Sequence, residues 1–490
     1  MDIQLLTFGE YLSVILKKKN ISITKLANLT NTKSRNTIHR LLKDESSIDV
    51  IESFKSKLIR LDPLSLSASE RKQLNKSVEV SKVGKDKYYA RNVLLQISKS
   101  KKSEPIYFHK IFGKTKNNLS TLMNLFHSYL ECSTVNIIIF DLPIPKLAEI
   151  LISLIHTATN TKISIEHIIF MDDSHSKNAD TFSSIYKLIN FKNYNGYYTT
   201  SLKHNSLLND TTSIFSNFIV VNKVPINGDS STDLICFNNK TNFSILSNNP
   251  GDFLYTFYLN YYNTIKFDCQ SIRRYDENNT HIEKLIDLCD YLLHLEKNTS
   301  EYLIKQNLCF QMIPSDILYN MLEDANFLGL SENHPQIREL IKINLERFKN
   351  YFTVNKMKIT LFTKRGLRDF VNTRMLTDHF YCFREFTKDE VIFTLKFILK
   401  QIKENNFFKL YLLKDNYYIG NIEFSYYENH VIYIVDSCCG YGEDFDEGII
   451  TANPIVHLFD DFIKNELIPH HTLPESEGIE FLEHLISTII

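Results

Sequence analysis

The sequence predicts a multidomain α+β protein, with a small all-α N-terminal domain followed by α/β and then mixed α+β domains. Three observations predict it. Apolar residues recur at helical spacing from Phe8 to Leu61, β-branched runs alternate with helical ones after Ile106, and charge is segregated along the chain. Residues 1–102 hold 21 Lys+Arg against 10 Asp+Glu, and the remainder holds 35 against 47, so the net charge of −1 conceals a basic head and an acidic body. At about 150 residues per domain, 490 residues give room for roughly three domains. Hydrophobic residues at 43% and charged residues at 23% exclude a disordered or fibrous chain.

In the head, Phe8, Leu12, Ile15 and Leu16 fall on one helical face, and Lys17, Lys18 and Lys19 follow as a cationic last turn. Ser22 or Thr24 caps a second helix that turns Leu26, Ala27 and Leu29 inward, Ala27 being small enough for two helices to cross. "TNTKS" is the turn, and Asn31 tolerates the left-handed conformation such turns need. Ser34 caps a third helix, "RNTIHRLLKD". It buries Ile38, Leu41 and Leu42 and leaves Lys33, Arg35, Asn36, Thr37, His39, Arg40 and Lys43 mostly outward. Arg and Asn make bidentate contacts with guanine and adenine edges, while Ser, Thr and Lys suit phosphates. A fourth helix, "IDVIESFKSKLIRL", closes the core.

At these residues the segment resembles the helix-turn-helix of bacterial Xre/Cro-like transcriptional regulators. "SITKLA" matches the first motif helix and "SRNTIHRLL" the recognition helix, over roughly residues 5 to 62. The pattern's turn glycine falls on Asn31, and Ile38 arrives one residue late. The resemblance implies sequence-specific binding of double-stranded DNA. Arg35, Asn36, Thr37 and Arg40 would meet base edges, Lys33, Ser34, Lys43 and the lysines at 17 to 19 would lie near phosphates, and His39 would be a further DNA-binding side chain. A short helix reads few base pairs, so a homodimer on a pseudo-palindromic operator is expected.

Five regions are expected: a helix-turn-helix domain over 1–62, a helical connector over 63–102, an α/β sensor domain over 103–270, a mainly helical region over 271–380, and an α+β domain over 381–490. The connector is lysine-rich, with Ser67 or Ser69 as its cap, and "SKSKKSEP" reads as a hinge into the next domain. "TVNIIIFDL", "PKLAEILISLIHTAT", "IEHIIFMDD" and "ADTFSSIYKLINF" give a parallel β/α rhythm, and "SNFIVVNK", "STDLICFN" and "NFSILSN" an antiparallel set. In the helix that follows, Phe253, Phe257, Tyr261 and Ile265 recur at i+4 as a core stripe. Farther on, "KITLFT" is a strand, "FYCFREF" another, and a capped helix to about Asn405 precedes a meander of "FKLYLL", "YYIGNIEFSYY" and "VIYIVD".

No chemistry of an enzyme assembles. Gly113, Lys114 and Thr115 match the end of a phosphate-binding loop, with Asp141 as its magnesium-positioning acid, but Phe108 stands where the first glycine belongs. His175 and Lys177 begin a phospholipase D-like pattern whose acid is replaced by Phe182. His470 and His471 lack a third ligand at defined spacing, and Glu443, Asp444, Asp446 and Glu447 lack the calcium-loop pattern. Lys364, Arg365, Arg368 and Arg374 could receive an anionic effector or pair with the acidic tail. The eight cysteines, with no C-x-x-C spacing, read as reduced thiols. The expectation is a cytoplasmic, cofactor-free, non-enzymatic regulator whose body senses a small-molecule or peptide effector, with no membrane segment. The alternative is a nucleotide-dependent enzyme or an interaction scaffold that uses the helix-turn-helix for targeting.

Overall fold

The structure, a computed structural model, describes residues 5–32, 34–61, 65–98, 118–141, 145–189, 191–200, 217–238, 243–248, 252–272, 281–324, 335–376, 384–415, 417, 422–436 and 448–489. It is a mixed α+β multidomain protein. One compact unit comprises Met1–Val93 with Ser174–Lys177, the other Leu94–Asp173 with Asn178–Ile490. Among the described residues no helix is long and apolar enough to cross a membrane.

The first unit is helical: α1 (Phe8–Lys18), α2 (Ile23–Leu29), α3 (Arg35–Leu42), α4 (Ile48–Arg60), α5 (Ala68–Val83) and the start of α6 (Lys85–Ser98). Local chemistry sets the boundaries. Thr7 and Glu10 form a capping box on α1, Ser67 and Glu70 another on α5, and Ser22 and Ser34 cap α2 and α3. Phe8, Leu12, Ile15, Leu26, Ile38, Leu41, Phe54 and Leu58 share one core, to which α5 adds Leu74 and Val78. Thus α5, expected in a connector over 63–102, is part of this core, and a boundary at residue 62 would cut through it. Asp86, at the start of α6, accepts from the Ser174 and Ser176 hydroxyls and from the backbone N–H of His175 and Ser176. Burial would raise that carboxyl, but these donors outweigh it and hold it at about 2.

The second unit contains two sheets. After α7 (Asn118–Ser128), β1 (Cys132–Phe140), α8 (Pro145–Thr157), β2 (Lys162–Phe170), α9 (His175–Ile189) and β3 (Tyr194–Thr199) give the expected parallel β/α alternation. The antiparallel set is β4 (Asn217–Pro225), β5 (Ser231–Asn238) and β6 (Phe243–Asn248). Then α10 (Asp252–Phe267) leads to a two-residue β7 (Gln270–Ser271), and the strand order is β6-β5-β4-β1-β2-β3-β7. The expected stripe on α10 holds at Tyr261 and Ile265 and fails at Phe257. Tyr262 and Ile265 are buried with Tyr255, Tyr258 and Tyr261 around them, whereas Phe257 faces outward; the side chain of Phe253 lies outside those described.

The second sheet is built from α11 (His281–Asn298), β8 (Glu301–Ile304), α12 (Ser315–Asp324), α13 (Pro335–Tyr351), β9 (Lys358–Thr363), α14 (Lys364–Thr373), α15 (Lys388–Glu404), β10 (Phe408–Leu413), β11 (Ile422–Tyr427), β12 (Val431–Asp436) and β13 (Gly448–Ile450), in the order β10-β9-β8-β11-β12-β13. Then α16 (Asn453–Phe462) runs through a π-turn to His471, and α17 (Glu475–Ile489) follows. Two expectations are corrected here. β10 pairs in parallel with β9 and does not touch β11, so only β11 and β12 of the expected meander are neighbours. Residues 271–380 supply β8 and β9 of the same sheet to which 381–490 supply β10 to β13, so that boundary divides a single layer. Of the expected strand "FYCFREF", residues 380–383 lie outside the described residues, and Arg384–Phe386 are not in a strand.

The two sheets have one topology. In each, three parallel strands joined through helices (β1-β2-β3; β8-β9-β10) are flanked beside the first by three antiparallel strands (β4-β5-β6; β11-β12-β13). Even the edges agree. β7 pairs antiparallel with β3, and Thr472 makes an antiparallel bridge to Leu413 of β10. Under the second sheet lies a buried ionic network. Arg347 donates to both Glu296 carboxylate oxygens (2.6 to 3.2 Å), and Lys358 Nζ donates to Glu301 Oε2 at 3.1 Å and to the Glu296 carbonyl at 2.9 Å. Tyr427 donates to Glu296 at 3.2 Å, and Glu301 Oε1 is left without a hydrogen-bond partner.

Candidate nucleic-acid interface

The outward face of α3 is set from the inside. Ile38 and Leu41 are fully buried, and Gly9 of α1 approaches so closely that a Cβ there would lie 2.5 Å from the Leu41 carbonyl oxygen and 2.6 Å from that of Leu42. No other residue type allows this contact. Between α2 and α3, Asn31 adopts φ 49°, Thr32 N–H bonds the Ala27 carbonyl at 2.9 Å, and the buried Thr30 hydroxyl donates to the Leu26 carbonyl at 2.8 Å. Ser34 Oγ then accepts from Asn36 N–H at 3.1 Å and starts the helix. These bonds hold the described part of the turn and the first turn of α3.

With that frame in place, Ser34, Arg35, Asn36, His39, Arg40 and Lys43 are exposed and Thr37 is half-buried. Lys33 lies outside the described residues. Leu42 and Leu29, expected inward, are half-buried, Leu42 against the core. The Arg40 guanidinium turns back to donate to the Glu45 carbonyl at 3.1 Å. Such a surface presents donors and amides on a rigid helix, the chemistry that both base edges and phosphates accept.

The lysines at 17 to 19 are differently placed than expected. Lys18 Nζ lies 2.7 Å from Glu70 and Lys19 Nζ 3.5 Å from it, while Lys17 is exposed. The Lys18 hydrogen bond, followed by the Ser67 backbone bond, brings Glu70 down to about 2. The reason is the capping box on α5, which brings Glu70 to the C-terminal turn of α1. A feature the sequence reading missed is Asp44, at φ 56° just past α3, whose carboxylate takes donors from α1 and α5. An acid directly after a helix, where glycine is usual, was its signal.

Other motifs are absorbed locally. Arg365 pairs with Asp369, Arg374 with Glu385 and Lys364 with Asp415, and Arg368 lies over the Phe481 ring. Arg365, Lys364 and Arg374 thus meet nearby acids rather than the tail. His471 pairs with Glu466 at 3.1 Å, and among the described residues no group of three or more His, Cys, Asp or Glu could hold a metal. The segment with Gly113, Lys114 and Thr115 and the acidic loop at 443–447 lie outside the described residues. Cys132, Cys236 and Cys269 are free thiols.

The chain matches no protein-family model and no curated protein. Among solved structures it is similar to a polyphosphate kinase from Porphyromonas gingivalis, at 9% identity and a TM-score of 0.21, over 75% of this chain and 53% of that one. The chain spans about half the length of that structure, and so weak a superposition carries no functional argument.

Proposed function

We propose that the chain is a sequence-specific DNA-binding transcriptional regulator, with α2 and α3 as an Xre/Cro-like helix-turn-helix and the two-sheet unit as its sensing and dimerising body. One observation carries the reading: Ile38 and Leu41 are fully buried while Arg35, Asn36, His39 and Arg40 on the same short helix are exposed. The exposed face presents donors and amides on a short helix, and the surplus of Lys and Arg in residues 1–102 supplies the attraction to a polyanion. The protein works as a homodimer on a pseudo-palindromic site in the cytoplasm, since one eight-residue helix reads too few bases alone. A small-molecule or peptide effector bound by the body shifts the paired heads and changes affinity by about 1 to 3 kcal/mol.

The test is the Arg35→Ala, Arg40→Ala double variant. Each base-edge arginine is worth about 1 to 3 kcal/mol of discrimination. The variant should therefore lose preference for a duplex selected in vitro by the wild-type chain while keeping its circular dichroism spectrum. A retained preference would sink the assignment. A shallow dependence of wild-type affinity on salt would sink DNA binding altogether.

A further inference from the structure

Asp44 is expensive where it stands. It follows the C-cap of α3 in the left-handed region, where glycine is the unstrained choice. Its carboxylate accounts for its presence. Oδ1 accepts from the Gly9 backbone N–H at 3.0 Å and from the Ser81 hydroxyl at 3.1 Å, and Oδ2 accepts from the Thr7 hydroxyl. Ser81 Oγ in turn accepts from Phe8 N–H at 2.7 Å. One side chain at the end of α3 thus gathers donors from the first turn of α1 and from α5. It does so at the place where Gly9 lets the α3 carbonyls touch α1.

The same turn orders a proposed base-contacting side chain. With Asp44 left-handed, Glu45 N–H returns to the Arg40 carbonyl at 2.8 Å, and the Glu45 carbonyl receives the Arg40 guanidinium at 3.1 Å. We infer that Asp44 is a positioning residue for DNA reading: it fixes α3 on α1 and α5, and through Glu45 it pre-orders Arg40. Resting on the proposed function, this locates part of the specificity in a residue that itself contacts no base. Preorganised groups discriminate better because less freedom is lost on binding.

Two variants separate the turn from the carboxylate. Asp44→Gly keeps the left-handed turn without strain and removes all three acceptor contacts, whereas Asp44→Asn keeps an oxygen for Gly9 and loses the charge. Affinity for the selected duplex and for a scrambled duplex of equal composition is measured by fluorescence anisotropy across a salt series. Asp44→Gly should lower the selected-to-scrambled ratio at least tenfold, with scrambled-duplex affinity and salt slope within twofold of wild type. Asp44→Asn should fall between. A residue that merely stabilised the fold would lower both affinities together, and that result, or an unchanged ratio, overturns the inference. Should the glycine variant not fold, the asparagine variant carries the same comparison. If the wild-type chain binds no duplex, the proposed function fails by itself, and positioning is then read by hydrogen exchange. The Gly9 amide should exchange at least tenfold faster in Asp44→Gly while α2 amides are unaffected, and equal exchange at Gly9 overturns it.

Discussion

The two sheets of the second unit share a strand order but not an interior chemistry. Phe140 and Ile304 are each the last residue of the first parallel strand, and aligning them by register sets Ile137, Ile165 and Val221 against Glu301, Lys358 and Tyr427. All six side chains are at most 1% exposed. One slot of the fold is thus filled by branched aliphatics in one half and by an ion pair with a tyrosine in the other. The topology therefore follows from strand alternation and helical crossovers, and the ionic network is an occupant of it. One position past the strand ends, the halves differ again. Asp141, at φ 42°, is pushed up to about 6 by desolvation against a bond from Phe170 N–H, whereas its counterpart Lys305 lies 3.5 Å from Glu423.

The largest expected effect breaks the pairing. Lys358→Met leaves the buried Glu301 carboxylate without its cation and should cost about 3 to 5 kcal/mol in urea denaturation. A loss below about 1 kcal/mol would mean that Glu301 is already neutral, in keeping with the upward push that burial gives its carboxyl. Next in size is Asp141. An acid whose folded value is raised binds its proton more tightly in the folded state, so stability falls as pH rises from about 4 to about 6 and is level above. Asp141→Asn should remove that fall, roughly 2 to 3 kcal/mol, as seen in the difference between the two stability profiles. Parallel profiles would show that the carboxyl is hydrated. The smallest effect sharpens the comparison. Replacing Glu301 and Lys358 together by Ile, as in the first half, should leave stability within about 1 to 2 kcal/mol of wild type. A double variant as weak as Lys358→Met would show the halves are not interchangeable at this slot.

Much of the helical head was legible because its signals are local. Ser22, Ser34 and Ser67 act on backbone N–H groups two or three residues away, and Asn31 needs only its own φ. The parallel strands β1 and β2 were legible for a similar reason, as long β-branched runs. Short strands were not. β3 is "YNGYYT", interrupted by glycine, and β8 is four residues beginning with a glutamate whose burial depends on Lys358, far along the chain. Pairing partners were hidden most. β10 precedes β11 in sequence, yet β9 and β8 lie between them in the sheet, a fact fixed by crossover helices rather than by turn residues. The shared topology left no periodic trace, since Glu301 and Lys358 fill places that Ile137 and Ile165 fill elsewhere. At the candidate interface the outward residues of α3 could be read from spacing. The Glu70 pairs with Lys18 and Lys19, and the donors on Asp44, required knowing where α5 packs.

β7 and the Thr472 bridge are small features with a consequence for assembly. Without them β3 and β10 would each offer a stranger's strand a free row of amides and carbonyls, the opening through which sheets fuse between molecules. A cover of two residues on one and a single bridge on the other interrupts that row. These two rims thus have little continuous ladder to share with a neighbouring strand.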